Sequence, residues 1–159
     1  MAIRLQLATP FLERAWLERA YLDWLQELAV AARAKPPSSE ILAREQISAW
    51  LQDRTVDLFV LRRDEEYAGF ACVDRVIGGG ARLREFYVLP GLRRLRVGSH
   101  AAALLFDRYA GQWQLEVLQS DRTALRFWSD VVQRYASDRR REERADGHVR
   151  YVFASRSAK

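Results

Sequence analysis

About a third of the way along the chain, the spacing of apolar residues changes from helical to alternating. Before the change, apolar residues recur every three to four positions, which predicts helices over residues 11–32 and from residue 40 to about 52. After it, three apolar runs alternate with polar residues and are separated by turn residues, at 56–61, 67–77 and 82–89. Because these runs are consecutive and closely spaced, they predict an antiparallel meander.

The remaining segments extend this pattern to both ends of the chain. Strands are predicted at residues 3–7, 113–118, 137–144 and 148–154, with an Asp146-Gly147 hairpin turn before the last one. Helices are predicted at 98–110 and after Asp121, which is a good N-cap. No linker or repeat interrupts the order β-α-α-β-β-β-α-β-α-β-β. We therefore expect one α+β domain over residues 1–159, a three-layer fold whose mixed, largely antiparallel sheet of six to seven strands has helices on both faces.

Local signals set the expected boundaries and faces of the first two helices. Thr9 is expected to cap the first helix, with Pro10 at its first position. Leu12, Trp16 and Trp24 are expected on its apolar face. The Pro-rich segment 35–38 should end that helix, and Ser39 should cap the next one.

Composition narrows the classes of protein and ligand. The single cysteine, Cys72, excludes an intramolecular disulfide and argues against a cysteine-based zinc site. No apolar run reaches the ~20 residues of a membrane span, and we see no signal peptide, so a cytoplasmic protein is expected. The net charge of +5, which comes from arginine, favours anionic ligands such as a phosphorylated cofactor or nucleic acid.

One segment combines positive charge with a junction between a strand and a helix. A strand that ends at Leu89 is followed by a basic loop with Arg93, Arg94 and Arg96, and then by a helix that begins near Gly98. The start of a helix presents free backbone N–H groups and a positive dipole end to an anion. This segment therefore predicts a binding site for a pyrophosphate.

The element order and this loop resemble the GCN5-related N-acetyltransferase (GNAT) superfamily. Its Arg/Gln-x-x-Gly-x-Gly/Ala signature falls on residues 93–98, and its Asn-x-x-Ala-x-x-Phe-Tyr pattern falls on residues 121–128. The resemblance implies the acyl-CoA N-acyltransferase fold and transfer of an acetyl group from acetyl-CoA to a primary amine. The transfer would occur by direct attack in a ternary complex.

The resemblance also implies a set of residues that bind the cofactor. In this family the backbone of the fourth strand pairs with the pantetheine arm, and one strand N–H polarises the thioester carbonyl. The implied cofactor-binding residues are Phe86, Tyr87, Val88, Leu89, Arg93, Arg94, Leu95, Arg96, Val97, Gly98, Ser99, Asp121 and Trp128.

Three of these positions depart from the family pattern. Arg96 replaces a glycine, and we expect it to adopt ordinary helical or loop backbone angles. Asp121 replaces an asparagine and, when ionised, cannot donate a hydrogen bond. Trp128 replaces the tyrosine that often protonates the departing thiolate.

Candidate catalytic residues follow from chemistry and position. Glu85, an acidic residue in an otherwise apolar half-strand just before the loop, is the candidate base. An ion pair with a neighbouring arginine is the alternative reading, and only a β-bulge would decide which face of the sheet Glu85 occupies. Tyr135 is a weaker candidate acid. We predict no metal site, because His100 and His148 lie far apart in sequence with no spaced carboxylate partner.

Other hypotheses stay open at this stage. The arginine content is compatible with a nucleic-acid-binding module. Arg96 and Trp128 are compatible with a degenerate domain that binds coenzyme A, or nothing, without catalysis. The acceptor amine is not identified by the sequence, and a homodimer through strand edges or the last hairpin is compatible with it.

Overall fold

The computed structural model describes residues 2–35 and 40–157 of the protein. Its strands are β1 Ile3–Leu7, β2 Val56–Arg63, β3 Glu66–Arg75, β4 Ala81–Val88, β5 Gln112–Leu118, β6 Arg139–Glu143 and β7 His148–Ala154. Its α-helices are α1 Arg14–Ala31, α2 Glu40–Gln52, α3 Val97–Arg108 and α4 Arg122–Tyr135, and a 3-10 helix covers Pro90–Leu95.

All seven strands form one sheet in the order β1-β2-β3-β4-β5-β7-β6. Every neighbouring pair is antiparallel except β4 and β5, which are parallel. A parallel pair needs a crossover connection, and here the 3-10 helix and α3 supply it. The predicted α+β fold with a mixed, largely antiparallel sheet is confirmed.

The helices cover both faces of the sheet and produce two cores. Helices α3 and α4 pack on one face around Phe106, Trp113 and Trp128, all of which are buried. Helices α1 and α2 pack on the other face, where Leu17 and Ile47 are fully buried. We call these the α3/α4 face and the α1/α2 face of the sheet.

The start of α1 differs from the sequence expectation. The regular helix begins at Arg14, and its N-terminal flanking residue is Glu13 rather than Thr9. The fully buried Glu13 carboxylate accepts hydrogen bonds from the Thr9 N–H and hydroxyl at 2.9 and 3.0 Å. Thr9 is thereby held in a turn that precedes the helix. Leu12, which was expected to face inward, lies in that turn and is 74% exposed.

The expected apolar face of α1 and the expected break before α2 have different outcomes. Trp16 and Trp24 of α1 are only partly buried and lie at the edge of the α1/α2 core. The predicted break at 35–38 and the Ser39 cap fall largely outside the described residues. Within the described ranges, no helix is long and apolar enough to cross a membrane.

Candidate active site

The parallel strands β4 and β5 separate part of the way along their length. Their pairing ends at Leu83 and Leu115. Beyond this point β4 stays paired with β3 as far as Val88, and β5 stays paired with β7 as far as Leu118. A gap therefore opens in the sheet beside residues 84–88, whose β5-facing edge has no strand partner.

The hydrogen bond donated by Leu89, the residue after β4, shows which backbone groups line this gap. The Leu89 N–H donates to the Ala68 carbonyl on the β3 side, at 2.9 Å. Because a trans peptide directs its N–H and C=O to opposite sides, the Val88 carbonyl faces the gap. Backbone groups alternate sides along a strand, so Phe86 and Val88 direct theirs into the gap, whereas those of Tyr87 point towards β3.

A β-bulge sets the orientation of Glu85. Leu83 pairs with Val73 and Glu85 pairs with Cys72, so Arg84 is an extra residue in β4. An extra residue inverts the alternation of side chains that follow it. Phe86 and Val88 consequently join the α3/α4 core, and Glu85 lies on the α1/α2 face. The bulge resolves the choice of face that the sequence left open.

The Glu85 carboxyl group lies in a largely apolar environment beside α1. The Trp24 indole N–H donates to Glu85 Oε2. Burial raises the pKa of Glu85 above its ordinary value, and this outweighs the opposing effects of the Trp24 hydrogen bond and of Arg84 and Arg82. A carboxylate with a raised pKa is a better proton acceptor, which suits a general base.

Two tyrosines share this face with Glu85. Burial and, secondarily, the Glu85 charge raise the pKa of Tyr21 to about 12. Burial, with Glu27 and Asp23, raises the pKa of Tyr87 to about 12. Both hydroxyls are therefore neutral near neutral pH, and Glu85 is the one of these three groups that can accept a proton.

The side chain of Arg93, which was expected to bind the cofactor, makes contacts with other residues of the protein. Its Nε donates to the Val88 carbonyl at 2.8 Å, and its Nη2 forms an ion pair with Glu27 of α1 at 2.8 Å. Its guanidinium also lies 5.4 Å from the centre of the Tyr87 ring. Arg93 thus links the end of β4 to α1 and occupies one acceptor at the gap.

Arg96 adopts a left-handed backbone conformation, with φ 62° and ψ 14°. The expectation of ordinary helical or loop angles is wrong, because the chain makes the left-handed turn before α3 even without glycine. This conformation costs an L-residue roughly 1–2 kcal/mol. Gly98, two residues later, lies close to α4, since a Cβ there would meet the Phe127 ring at 3.1 Å.

A groove of about 560 Å³ runs between α3 and α4 from this loop. Arg94 and Arg96 line its loop end, and neither forms an ion pair with any described residue. Ser99 lines it in the first turn of α3. The N–H groups of that first turn have no partner within the helix and add a positive dipole end. The groove also contains Arg134 and Arg156, which the sequence did not bring to notice.

The remaining predicted residues have identifiable contacts. Asp121 accepts a hydrogen bond from the Ala124 N–H at 3.1 Å and caps α4 as expected. Trp128 is buried against Phe86, with ring centres 5.0 Å apart. The Tyr135 hydroxyl is bound to Asp107 near the far end of α3, at 2.6 Å. That contact favours a structural role for Tyr135, away from Glu85. Leu95 is exposed, and Val97 is buried in the α3/α4 core.

His148 has carboxylate neighbours that sequence reasoning did not find. Ligand atoms of Glu116, Asp146 and His148 lie within 4.8 Å of one another. Arg150 pairs with Glu116 at 3.2 Å, and Arg144 lies 3.8 Å from Asp146. Because arginines already balance both carboxylates, we assign no metal to this cluster.

The chain's own residues fit a coenzyme A thioester. The gap offers the backbone N–H groups of Phe86 and Val88 and the Phe86 carbonyl to an amide-containing arm, and the basic loop and the start of α3 offer donors to phosphates. Sequence reasoning missed Trp24, Glu27 and the bulge at Arg84. No local pattern marks them, since each is defined by a contact between distant segments.

Comparison with known proteins agrees with this geometry. The family model described as the acetyltransferase (GNAT) family matches residues 15–130. No curated protein matches the chain significantly.

Solved structures share the fold at low sequence identity. An acetyltransferase from Thermus thermophilus has a TM-score of 0.74 and 14% identity, covering 97% of each chain. Spermidine N-acetyltransferase from Vibrio cholerae, in complex with CoA and spermine, has a TM-score of 0.71 and 10% identity, covering 96% of this chain and 95% of its own. The ribosomal-protein-S18-alanine N-acetyltransferase from Escherichia coli has a TM-score of 0.67 and 16% identity, covering 99% of this chain and 97% of its own.

The family match spans well over half of the chain, and the sheet, the gap and the basic loop agree with it. The protein belongs to the GNAT family of acetyltransferases.

Proposed function

We propose that this acetyltransferase moves an acetyl group from acetyl-CoA to a primary amine by direct attack, with both substrates bound together. The observation that carries the proposal is the opening between β4 and β5, with Glu85 on one face and the basic groove on the other. The acetyl thioester supplies the acyl group: the amine nitrogen bonds to the carbonyl carbon, the C–S bond breaks, and coenzyme A leaves as its thiol.

Glu85 accepts the proton that the amine nitrogen loses, directly or through one water molecule. Its raised pKa makes it a better proton acceptor than an ordinary carboxylate, and its position on the α1/α2 face supports an acceptor amine on that side of the sheet. The Trp24 indole N–H holds the carboxylate in position. The thiolate takes its proton from solvent, since Trp128 is no useful acid.

Backbone N–H groups stabilise the negative charge that develops on the carbonyl oxygen. The Val88 and Phe86 N–H groups face the gap and are held in place by the pairing of β4 with β3. Donors fixed in this way need no reorganisation during the reaction. This role depends on the backbone and tolerates different side chains at these positions.

The class of acceptor amine, the cellular location and the oligomeric state are also matters of proposal. The related enzymes act on spermidine and on a ribosomal protein, so small polyamines and protein N-termini are both reasonable acceptors to test. A cytoplasmic location and a homodimer stay predictions from the sequence. The comparisons give no support to a nucleic-acid-binding or non-catalytic module.

The test is release of coenzyme A thiol when the protein is incubated with acetyl-CoA and a panel of amines, with mass spectrometry of the products. The panel contains spermidine, short diamines, free amino acids and peptides that begin with alanine. We expect at least one amine to be acetylated by the wild-type protein and far more slowly by Glu85→Gln. Tight binding of acetyl-CoA without acetylation of any amine above the Glu85→Gln level would refute the proposal.

A further inference from the structure

We propose that Arg134 and Arg156 bind the ribose 3′-phosphate of coenzyme A, so that the segment after β7 forms part of the cofactor site. This inference rests on the proposed function, because it concerns the same cofactor. It goes further by assigning a phosphate subsite to two residues that lie outside the loop at 93–98.

The length of the groove supports this subsite. Its α3 wall extends from Arg96, just before the helix, to Ala103. Seven residues of α-helix span about 10 Å. In coenzyme A only the ribose and its 5′ carbon separate the pyrophosphate from the 3′-phosphate. If the pyrophosphate lies at the loop end, the 3′-phosphate therefore falls within the groove beside α4.

Arg156 is fixed at the far part of this groove by a network around Tyr135. The Arg156 N–H donates to the Tyr135 hydroxyl at 3.0 Å, and the guanidinium lies 4.2 Å from the centre of the Tyr135 ring. Ser155, the preceding residue, donates its hydroxyl to the Phe106 carbonyl at 2.8 Å. These contacts attach the segment after β7 to both α3 and α4.

Both arginines retain donors for a phosphate. Asp107 engages the Nε and Nη2 groups of Arg156, at 3.4 and 3.1 Å, which leaves the Nη1 group without a described partner. Arg134 lies on the exposed face of α4 and forms no ion pair with any described residue. Asp130, one turn earlier on α4, also lines the groove and opposes an anion. Arg134 and the remaining Nη1 group of Arg156 can both donate to a doubly charged phosphate monoester, while Asp107 and Asp130 offset part of the positive charge.

The experiment compares the binding of coenzyme A and dephospho-coenzyme A to the whole chain by isothermal titration calorimetry. These ligands differ only in the 3′-phosphate. We expect the wild-type protein to bind coenzyme A about tenfold more tightly, as one or two charge-assisted contacts at a partly exposed site would give. Arg134→Ala should reduce this ratio severalfold, and the double variant Arg134→Ala/Arg156→Ala should bring it close to one.

Two control variants make the result specific. Arg94→Ala removes a loop arginine and should weaken both ligands equally, leaving the ratio unchanged. Arg44→Ala removes the same charge from the exposed surface of α2 and should change neither affinity. Arg134→Ala removes no described contact, so it keeps the test valid if the double variant is unstable.

The two kinds of failure are distinguishable. A wild-type ratio near one, or a ratio that Arg134→Ala and the double variant leave unchanged, would overturn the 3′-phosphate subsite while leaving the proposed function intact. Failure of the wild-type protein to bind either ligand would overturn both.

Discussion

At Glu85 the protein keeps a carboxylate in surroundings that favour its neutral form. The residue lies on the wall of the gap, among aromatic side chains, and accepts a hydrogen bond from the Trp24 indole. Such an arrangement costs stability and is typical of residues that exchange protons with a substrate. Two consequences at the scale of this residue can be measured separately.

The first consequence concerns activity. Glu85→Gln keeps the shape of the side chain and a hydrogen-bond acceptor for Trp24 but cannot accept a proton. We expect kcat to fall about 100- to 10,000-fold, the usual range for loss of a general base. In the wild-type protein kcat/KM should fall as the pH drops through the raised pKa of Glu85. That acid limb should be missing from the residual activity of the variant.

The second consequence concerns stability. Because the folded-state pKa of Glu85 is raised, the folded protein holds this proton more tightly than the unfolded chain does. The proton on Glu85 stabilises the folded protein fully below pH 4.5, which is the ordinary pKa of a glutamate. This stabilisation is lost as the pH rises through the folded-state pKa of Glu85. Glu85→Gln should therefore melt at a higher temperature than the wild type near neutral pH and at the same temperature below pH 4.5. A lower melting temperature near neutral pH would contradict the burial argument.

Arg96 provides a separate test at residue scale. Arg96→Gly relieves the left-handed conformation but increases the entropy of the unfolded chain, for a net stabilisation of about 0.5–1 kcal/mol. Arg96→Ala removes the same charge and keeps the conformational cost. Urea denaturation should therefore rank the glycine variant above the alanine variant, and the reverse order would show that the turn is not strained.

Between secondary-structure elements, the contact of α1 with β4 affects the pKa of Glu85. The Trp24 hydrogen bond lowers the pKa of Glu85 against the effect of burial. Trp24→Phe removes that donor, so the pKa should rise further and the acid limb of kcat/KM should move to higher pH. Trp16→Phe is the matched control, because Trp16 lies two turns earlier on α1 and packs on Tyr67 instead. An unmoved limb in Trp24→Phe would exclude the indole as a partner of Glu85 in solution.

The elements themselves were predictable because apolar spacing is a local signal. The bounds of β7 agree with the prediction, and those of α3 and β5 differ by at most two residues. The bulge at Arg84 and the partnership of Trp24 with Glu85 were not predictable, because they depend on strand register and on how α1 crosses the sheet. Position in sequence singled out Glu85 as a candidate, and only the register shows which face it occupies.

At the scale of the whole molecule, one sheet with two helical faces leaves two edge strands. All five residues of the edge strand β6 are exposed, and their mixed charges protect its free backbone groups from pairing with another chain. The mixed charges of this strand are visible in the sequence and predict an edge position. The order β5-β7-β6 depends on long-range pairing and follows only from the structure.

Removing charges from this edge should cause association. Arg140→Val with Glu142→Val leaves the net charge unchanged and replaces two of the five charged residues of the edge strand with apolar ones. We expect concentration-dependent oligomers in sedimentation velocity experiments. Arg44→Val with Glu45→Val on the exposed surface of α2 removes the same charges where the backbone is already paired within the helix, and it should stay unassociated. Equal behaviour of the two double variants would contradict the protective role of the edge charges.

We propose that acetyl-CoA binds in the gap between β4 and β5 and at the basic loop before α3. Isothermal titration of the wild-type protein with acetyl-CoA tests it most directly, since binding requires neither a known acceptor nor a competent base. We expect one site per chain with micromolar affinity, weakened at least tenfold by Arg94→Glu. Absence of binding up to millimolar acetyl-CoA would contradict it and would mean that Arg96 and the Arg93–Glu27 ion pair keep the cofactor out of the gap.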